Sequence, residues 1–338
     1  MQNRLPSREY ELLQAIQNVL GEAGIAVSPY DYAIGDDAAV RRNKAGGQMV
    51  LTTDIAVENV HFSRAYMSMT EIGYRVIAAN VSDCAAMAAQ PESALVQLVF
   101  PNGGNRLAKE VVELYRGIAE ACRQWKVTIV GGDLAGGSAW TIGITMIGLI
   151  SPRARPLMRK GARSGDSLWV SGFPGRSAAG LAALRKWGRR SVPWQYRGLV
   201  EAHLRPDPSP ALGRVLGKCR HVHAMMDLSD GISKDARTLC YENILGLDLS
   251  FEPLMASDAM IALSRDTGTP LREWALHGGE DYTLLFAAGP KFGPECLPQR
   301  FRKSMVRLGS FTVRHHDIVL CDHGKRITLP RRGWDHVR

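Results

Sequence analysis

Ile34-Gly35-Asp36-Asp37-Ala38-Ala39-Val40 places two adjacent carboxylates between a glycine and a small apolar run. Adjacent acids repel each other unless solvent, a base or a metal cation offsets the repulsion. Other apolar runs also end in aspartate, and they do so at Leu51-Thr52-Thr53-Asp54, Asn80-Val81-Ser82-Asp83, Val130-Gly131-Gly132-Asp133 and Met225-Met226-Asp227-Leu228-Ser229-Asp230. A related stretch from Leu276 to Tyr282 contains Glu280 and Asp281. We therefore expect these acids to converge on magnesium ions that hold a nucleotide triphosphate.

The kind of ligand in this pattern favours magnesium. Each aspartate taken singly is more often a turn residue, a helix cap or a solvated charge. Together with neighbouring Ser and Thr, however, the aspartates form an oxygen-only set, which suits magnesium rather than zinc or iron. Glycines beside Asp133 and Glu280 would let backbone amides approach phosphates closely.

Composition sets the class of protein. A chain of 338 residues with 45% hydrophobic residues is long enough for two packed domains. The polar first ten residues lack the apolar segment of a signal peptide, and the apolar run at 140–150 is too short to span a bilayer. We expect a cytoplasmic protein with no membrane partner. The cysteines are scattered along the chain, and we expect them to be reduced thiols: Cys84, Cys122, Cys219, Cys240, Cys296 and Cys321.

The net charge of +9 describes a basic surface that could attract phosphorylated small molecules. Nucleic acid ranks last as a partner, because the chain contains no helix-turn-helix, RNA-recognition or zinc-finger pattern. A Walker P-loop is also absent: residues 175–180 have the glycine spacing, but Leu181 and Ala182 follow where Lys and Ser or Thr should stand. ATP binding would therefore need a different architecture.

Hydrophobic periodicity predicts mixed helices and strands in both halves. In the first half, helices are expected at 9–20, 70–89 (capped by Thr70) and 107–125. Strands are expected there at 49–54, 94–100, 127–130 and 141–150, with a turn at 131–133. In the second half we expect a helix at 177–187 and strands at 167–171, 224–228, 245–251 and 282–288. The linker at 151–156 predicts domains at 1–150 and 151–338, each an α/β or α+β sandwich.

One predicted helix is unusually poor in charge. Between Val76 and Gln90 the only formally charged residue is Asp83. Such a helix is expected to be buried on most sides. A carboxylate inside it then needs hydrogen bonds or a cation, because burying a lone charge is costly.

The motifs, in this order, resemble the thiamine-monophosphate kinase family, which belongs to the aminoimidazole ribonucleotide synthetase superfamily. The matching segments run from residue 34 to residue 336: IGDDAAV, LTTD, NVHF, NVSDCAAM, VGGD, RKGARSGD, HLRP, MDLSDGI, HGGEDYTLLF and GWDH. The resemblance implies an α/β (α+β) fold of the aminoimidazole ribonucleotide synthetase type, with two domains and mixed sheets covered by helices. It also implies a homodimer formed through the N-terminal domains. The implied reaction is ATP-dependent phosphorylation of thiamine monophosphate to thiamine diphosphate by direct in-line transfer, a step of thiamine biosynthesis.

The resemblance also assigns residues. Several Mg²⁺ ions would be held by Asp37, Thr52, Thr53, Asp54, Asp83, Asp133, Asp227 and Asp230. ATP would contact Tyr115, Gly132, Asp133, Arg159 and Ser229. Thiamine monophosphate would contact His61, Glu280 and Trp334. No dedicated catalytic base is expected, because the accepting phosphate oxygen is already ionised. A role for K⁺ is left open.

Two departures from the family pattern concern local loops. Arg176 stands where the family often has aspartate, and Ser7-Arg8-Glu9-Tyr10 replaces a Gly-Glu-Phe start. From the residues alone, Arg159 is either solvated or a polyphosphate ligand, Trp334 packs or forms a platform for a cationic ring, and His61 is more often structural. Two other functions stay open: another ATP-dependent reaction of the superfamily, or a non-catalytic nucleotide sensor. Selenophosphate synthesis is disfavoured, because no cysteine stands with a lysine in a glycine-rich N-terminal loop.

Overall fold

The structure is a computed structural model and describes residues 7–23, 30–32, 34–42, 47–101, 104–252, 257–322 and 324–333. The first half forms a sheet in the spatial order β1-β2-β3-β6-β4-β5. Its strands are β1 (Tyr30–Tyr32), β2 (Ala39–Arg42), β3 (Gln48–Val57), β4 (Gln90–Pro101), β5 (Thr128–Gly137) and β6 (Thr141–Ile150). Strands β4 and β5 are parallel and the other neighbouring pairs are antiparallel.

The second half forms a sheet in the order β13-β12-β9-β11-β7-β10-β8. Its strands are β7 (Ser167–Ser171), β8 (Val222–Leu228), β9 (Gly246–Ser250), β10 (Thr283–Ala288), β11 (Met305–Thr312), β12 (Ile318–Asp322) and β13 (Lys325–Thr328). Only β9 and β12 pair in parallel among its described strands. Both sheets are mixed and carry helices, which confirms the predicted fold class.

The helices divide between the two sheets. They are α1 (Arg8–Glu22), α2 (Met69–Ala86), α3 (Leu107–Trp125), α4 (Arg176–Trp187), α5 (Arg197–Leu204), α6 (Pro210–Leu216), α7 (Ile232–Asn243), α8 (Asp258–Thr267), α9 (Leu271–His277) and α10 (Gln299–Arg302). Short 3₁₀ turns lie at Gly104–Arg106, Trp194–Tyr196 and Pro294–Cys296. Among the described residues, no helix is both long enough and apolar enough to cross a bilayer.

Among the described residues, helices cover the first sheet on one face only. Helices α2 and α3 pack on it, and alternate residues of β6, such as Ile142, Ile144 and Met146, point into this core. The opposite face, which we call the open face, exposes large apolar side chains: Ile55 is 62% exposed, and Leu95 and Leu149 are also exposed. An apolar sheet face of this kind is typical of a protein–protein contact.

Helix α2 lies between the two sheets. Its Ile77 and Val81 join the core of the first sheet, whereas Ala85 and Ala86 pack with Trp169 and Phe286 of the second. Helix α6 comes so close that a Cβ on Gly213 would stand 2.1 Å from the carbonyl oxygen of Ala85. The expectation that this charge-poor helix is buried on most sides is confirmed.

Two local predictions were wrong. Helix α2 is capped by Ser68, which forms a capping box with Glu71, and Thr70 inside the helix donates to the carbonyl of Glu113. The predicted turn at 131–133 lies within β5, which pairs with β4 along its length. The glycine there serves close strand packing, since a Cβ on Gly132 would stand 1.9 Å from the carbonyl oxygen of Val96.

The contact between α2 and α3 depends on glycine. A Cβ at Gly117 would stand 1.8 Å from the carbonyl oxygen of Thr70. We expect Gly117→Ala to lower the free energy of unfolding by roughly 1–3 kcal/mol, because the two helices must move apart. Urea unfolding measures this loss. Gly198→Ala in α5 is the control: nothing lies within 4 Å of the added Cβ, so that variant should match or exceed wild-type stability. Equal stability of the two variants would contradict the close packing.

Candidate active site

Three carboxylates from distant parts of the chain meet between the two sheets. Asp37 precedes β2, Asp83 lies on α2 and Asp227 on β8, and each offers an oxygen within 4.8 Å of the others. Asp37 and Asp227 are buried, and Asp83 is half-buried. We call these three residues the acid cluster.

Hydroxyl and guanidinium donors surround the acid cluster. Thr52 donates to Asp83 at 2.6 Å. Ser82 and Ser229 donate to opposite oxygens of Asp227, at 2.8 and 3.3 Å. Arg159 donates to Asp37 Oδ1 through Nη2 at 2.6 Å and through Nε at 3.1 Å, and its backbone N–H donates to Asp36. These contacts orient each carboxylate without cancelling the summed negative charge.

Burial and mutual repulsion disfavour the ionised forms. Burial, then the charges of Asp54, Asp227 and Asp37, raise the pKa of Asp83 well above its ordinary value. Burial and Asp37 raise the pKa of Asp227 to about 8. The second oxygen of Asp37 is buried and has no hydrogen-bond partner. An oxygen-only set with an unsatisfied buried oxygen fits Mg²⁺, which prefers such ligands.

Side chains alternate between the two faces of the sheet along β3, so the predicted ligands Thr53 and Asp54 point to opposite faces. Asp54 lies on the same side as Thr52, and its charge contributes to the raised pKa of Asp83 and Asp227. The Thr53 side chain lies on the open face, where its hydroxyl is 3.1 Å from that of Thr145. Thr53 therefore does not direct its hydroxyl at the acid cluster.

Asp230 follows the acid cluster at the end of β8. It forms an ion pair with Lys234 at 2.8 Å, and Lys234 also contacts Glu9 of α1 at 3.1 Å. Helix α1 lies against α7 through hydrogen bonds from Tyr10 to Glu242 and from Gln14 to Tyr241. The start of the chain, where the sequence departs from the family pattern, thus lies beside this edge of the site.

Asp133 is separated from the acid cluster within one chain. Asp54 pairs with Ile144, Ile144 with Val96, and Val96 with Gly132, so Gly132 lies three strands from Asp54. Three strand spacings amount to about 14 Å. Asp133 pairs with Gln97 and shares its side of the sheet, which is the open face.

Tyr115, another ATP contact assigned by resemblance, lies on the helix-covered side of the first sheet. It is carried by α3 and packs against the core of the first sheet. Burial raises its pKa.

Of the residues assigned to the substrate, Glu280 belongs to the loop 278–282 and His61 lies near it. His61 Nδ1 accepts a hydrogen bond from the backbone N–H of Val57 at 3.0 Å, which places the proton of a neutral ring on Nε2. Burial raises the pKa of Glu280, but nearby positive charge, that of Arg75 first, outweighs this, so the pKa lies below its ordinary value; His61 makes a smaller contribution in the same direction. Trp334 lies outside the described residues.

Three further residues of the site escaped the sequence reasoning: Ser82, Arg75 and His203. Arg75 and Ser82 are seven positions apart on α2, so helical spacing places them on one side of the helix, next to Asp83. His203 on α5 belongs to the HLRP segment, but no sequence pattern placed it beside Glu280. Its position beside Glu280 depends on how α5 packs in the folded chain.

The loop that carries Arg176 is ordered by a distant acid. Arg176 begins α4, and the backbone N–H groups of Gly175 and Ser177 donate to the carboxylate of Asp281. Burial raises the pKa of Asp281 to about 7, and the two N–H donors oppose this. Asp281 therefore caps the helix where the family often has a local aspartate.

The His203 ring supplies a test of pH dependence. Burial lowers its pKa to about 3; Arg75 and Arg185 add to this and Glu280 opposes it. Between about pH 6.5 and pH 3 the unfolded chain therefore binds a proton that the folded chain does not, and stability falls as pH falls. The wild type should lose unfolding free energy between about pH 7 and pH 5. We expect His203→Gln to lose about 2 kcal/mol less than the wild type over the same range.

Urea unfolding at several pH values checks this expectation. His316→Gln is the control, because His316 is exposed and its replacement should leave the wild-type profile in place. If the wild type and His203→Gln lose stability in parallel as pH falls, a neutral buried His203 is ruled out.

Comparison with known proteins agrees with the fold. Residues 35–150 match the family model of the AIR synthase related protein, N-terminal domain, so the first half is of the AIR synthase-related class. A thiamine-monophosphate kinase of Corynebacterium glutamicum is 32% identical over 328 residues, covering 96% of this chain and 92% of the relative. The chain belongs to the thiamine-monophosphate kinase family, and it is a kinase.

Two further relatives extend this comparison. The thiamine-monophosphate kinase of Aquifex aeolicus is 35% identical over 303 residues, covering 90% of this chain and 92% of the relative. The solved structure of AaThiL complexed with AMPPCP and TMP has a TM-score of 0.82 and 29% identity, with 98% of both chains covered.

Proposed function

We propose that this kinase phosphorylates thiamine monophosphate with ATP and forms thiamine diphosphate and ADP. The observation that carries the proposal is the acid cluster, where Asp37, Asp83 and Asp227 converge at one place. The similarity of the chain to a relative whose structure was solved with AMPPCP and TMP supports ATP and thiamine monophosphate as the two reactants.

The proposed chemistry is a direct in-line transfer. A phosphate oxygen of thiamine monophosphate forms the new bond to the γ-phosphorus of ATP. The bond from this phosphorus to the bridging oxygen breaks, and ADP leaves with the electron pair. The acceptor oxygen is already ionised, so the residues of the chain need to position the reactants rather than remove a proton.

The assignment of ligands follows from the oxygen donors of the site. Mg²⁺ would be held by five side chains: Asp37, Thr52, Asp54, Asp83 and Asp227. When bound there, it would neutralise the repulsion between the two anionic reactants. Further ions would use Asp230, next to the acid cluster, and Thr53, whose hydroxyl lies on the open face. Arg159 and Ser229 would contact ATP, and a requirement for K⁺ stays open. On the substrate side, His61, Glu280 and Trp334 would hold thiamine monophosphate.

A homodimer is part of the proposal. Its support is the apolar open face of the first sheet, together with the position of Asp133 on that face. Because Asp133 cannot reach the acid cluster of its own chain, we propose that Asp133 and its neighbour Gly132 serve the site of the partner, while Tyr115 contacts ATP as the resemblance implies. The division into domains at 1–150 and 151–338 and a cytoplasmic location, which six free cysteines suit, complete the proposal.

The direct test is an assay of purified protein with ATP, Mg²⁺ and thiamine monophosphate. Thiamine diphosphate and ADP should form in equal amounts, and a chelator should stop the reaction. Folded protein that forms no thiamine diphosphate would reject the proposal. Turnover of the formylglycinamidine substrate instead would identify a different reaction of the superfamily, and ATP binding without turnover of any substrate would identify a sensor.

A further inference from the structure

A buried guanidinium from the first half of the chain holds the loop 278–282 of the second half. The Arg75 side chain on α2 is 5% exposed, and its Nη2 lies 2.5 Å from Glu280 Oε1. Its Nη1 donates to the backbone carbonyl of His203. The same guanidinium lies 5.8 Å from the ring centre of Tyr282. Arg75 thus contacts the loop at Glu280 and at Tyr282 and ties it to α5.

The backbone of this loop is strained and closely tied. Glu280 and Tyr282 adopt φ angles of +65° and +52°, which non-glycine residues rarely adopt. The backbone N–H of Glu280 donates to the backbone carbonyl of Ser229 at 2.6 Å, and the backbone N–H of Tyr282 donates to the backbone carbonyl of Leu228 at 2.9 Å. Strained residues persist where the surroundings over-determine them, and they cluster at functional sites. Glu280 is therefore attached by its backbone to the strand that carries Asp227.

Of the two charged groups, the carboxylate is the one within reach of a ligand. Glu280 keeps 31% of its side chain exposed, whereas Arg75 keeps 5%. One oxygen of Glu280 faces Arg75, and the other lies 3.7 Å from His203 Nδ1, beyond hydrogen-bonding distance. Ser177 occupies that His203 nitrogen at 3.0 Å. His203 is uncharged at neutral pH, because its pKa is lowered to about 3, and so it cannot replace the guanidinium.

We propose that Arg75 is a positioning residue: it fixes the Glu280 carboxylate so that one oxygen is held by the guanidinium and the other is presented to the substrate. The inference rests on the proposed function, in which Glu280 contacts thiamine monophosphate. The ligand chemistry suited to the presented oxygen is an N–H donor or a cationic ring. Arg75 contacts neither reactant and acts only through Glu280.

Steady-state kinetics of Arg75→Met test this role. We expect the KM for thiamine monophosphate to rise at least about 10-fold, because the carboxylate loses its fixed position, while the KM for ATP stays within about 2-fold. Arg75→Lys keeps the charge and should recover most of the lost affinity. Should Arg75→Met fail to fold, Arg75→Lys carries the test. It loses the contact with the His203 carbonyl, so the KM for thiamine monophosphate alone should rise a few-fold, roughly 2- to 5-fold.

Arg189→Met is the matched control. Arg189 also joins the two halves of the chain, through two 2.5 Å contacts to Glu71, and within the described part of the chain it donates to Glu71 and to the Tyr66 carbonyl rather than to Glu280. This variant should lower the thermal midpoint and leave both KM values within about 2-fold of wild type. A parallel rise of both KM values in Arg75→Met would show a merely structural role and overturn the inference.

A double-mutant cycle closes the test. If Arg75 acts through Glu280, adding Arg75→Met to Glu280→Gln should change the KM for thiamine monophosphate by less than about 2-fold. Effects that multiply would overturn the inference, as would an unchanged KM in folded Arg75→Met. Either result leaves the proposed function standing as long as wild type forms thiamine diphosphate. If wild type forms none, the proposed function fails and the inference falls with it.

Discussion

Asp83→Asn is expected to reduce turnover by at least about 1,000-fold, equivalent to about 4 kcal/mol of transition-state stabilisation, while the fold is retained. The loss follows from removing a charged ligand of the proposed metal site. The fold is retained because asparagine has the same shape and its amide oxygen can still accept the hydrogen bond from Thr52. Without Mg²⁺ the variant should be as stable as wild type or more stable, since burial and neighbouring charges disfavour the Asp83 carboxylate.

Two measurements separate this expectation from simple misfolding. Thermal unfolding should show that Mg²⁺ stabilises the wild type and not Asp83→Asn, because a ligand stabilises only the state that binds it. Asp207→Asn is the control: Asp207 lies outside the site, is exposed, and accepts a hydrogen bond from Gln124. It should keep activity within about 2-fold of wild type. Wild-type turnover in Asp83→Asn would count decisively against a metal role for the acid cluster.

Heterodimers of Asp83→Asn and Asp133→Asn are expected to regain activity that neither variant has alone. If Asp133 serves the site of the partner, one site of each heterodimer carries both changes and the other carries none. Two copies with different affinity tags, co-expressed and purified through both tags, should then show about half of the wild-type activity per dimer. Asp133 within one chain lies on the open face, away from the acid cluster, which is the physical reason for this expectation.

A second heterodimer is the control for this experiment. Asp37→Asn combined with Asp83→Asn places one change in each site, because both residues belong to the acid cluster of a single chain. That heterodimer should stay inactive. Activity in the control, or none in the Asp83 and Asp133 pair, would contradict the exchange of residues between subunits. A monomer in solution would contradict the proposed homodimer itself.

The sequence predicted best where local pattern decides the structure. The helix at 107–125 and the strand at 141–150 have their predicted limits, because their apolar spacing is regular over many residues. The lone charge in the buried helix correctly indicated that Asp83 needed partners, and Thr52 is one. The convergence expected of the acids is observed for Asp37, Asp83 and Asp227.

What the sequence missed depends on pairing between distant segments. The glycines at 131–132 indicated a turn, yet strand pairing makes them part of β5. Which face Asp133 occupies follows from its register with Gln97, and no local pattern carries that register. Arg75 stood just outside the charge-poor segment. Its role became visible only when α5 and the loop 278–282 were packed against it.

Helix α2 is shared by both hydrophobic cores and also carries Asp83 and Arg75. The two halves of this enzyme therefore cannot be exchanged as independent modules, since a replacement would have to match the alanine surface at Ala85 and Ala86 as well as Asp83 and Arg75. In a chimera joined to a distant homologue at the linker, Asp83 and Arg75 would lose their partners in the second half, and the packing of Ala85 and Ala86 would be disrupted as well.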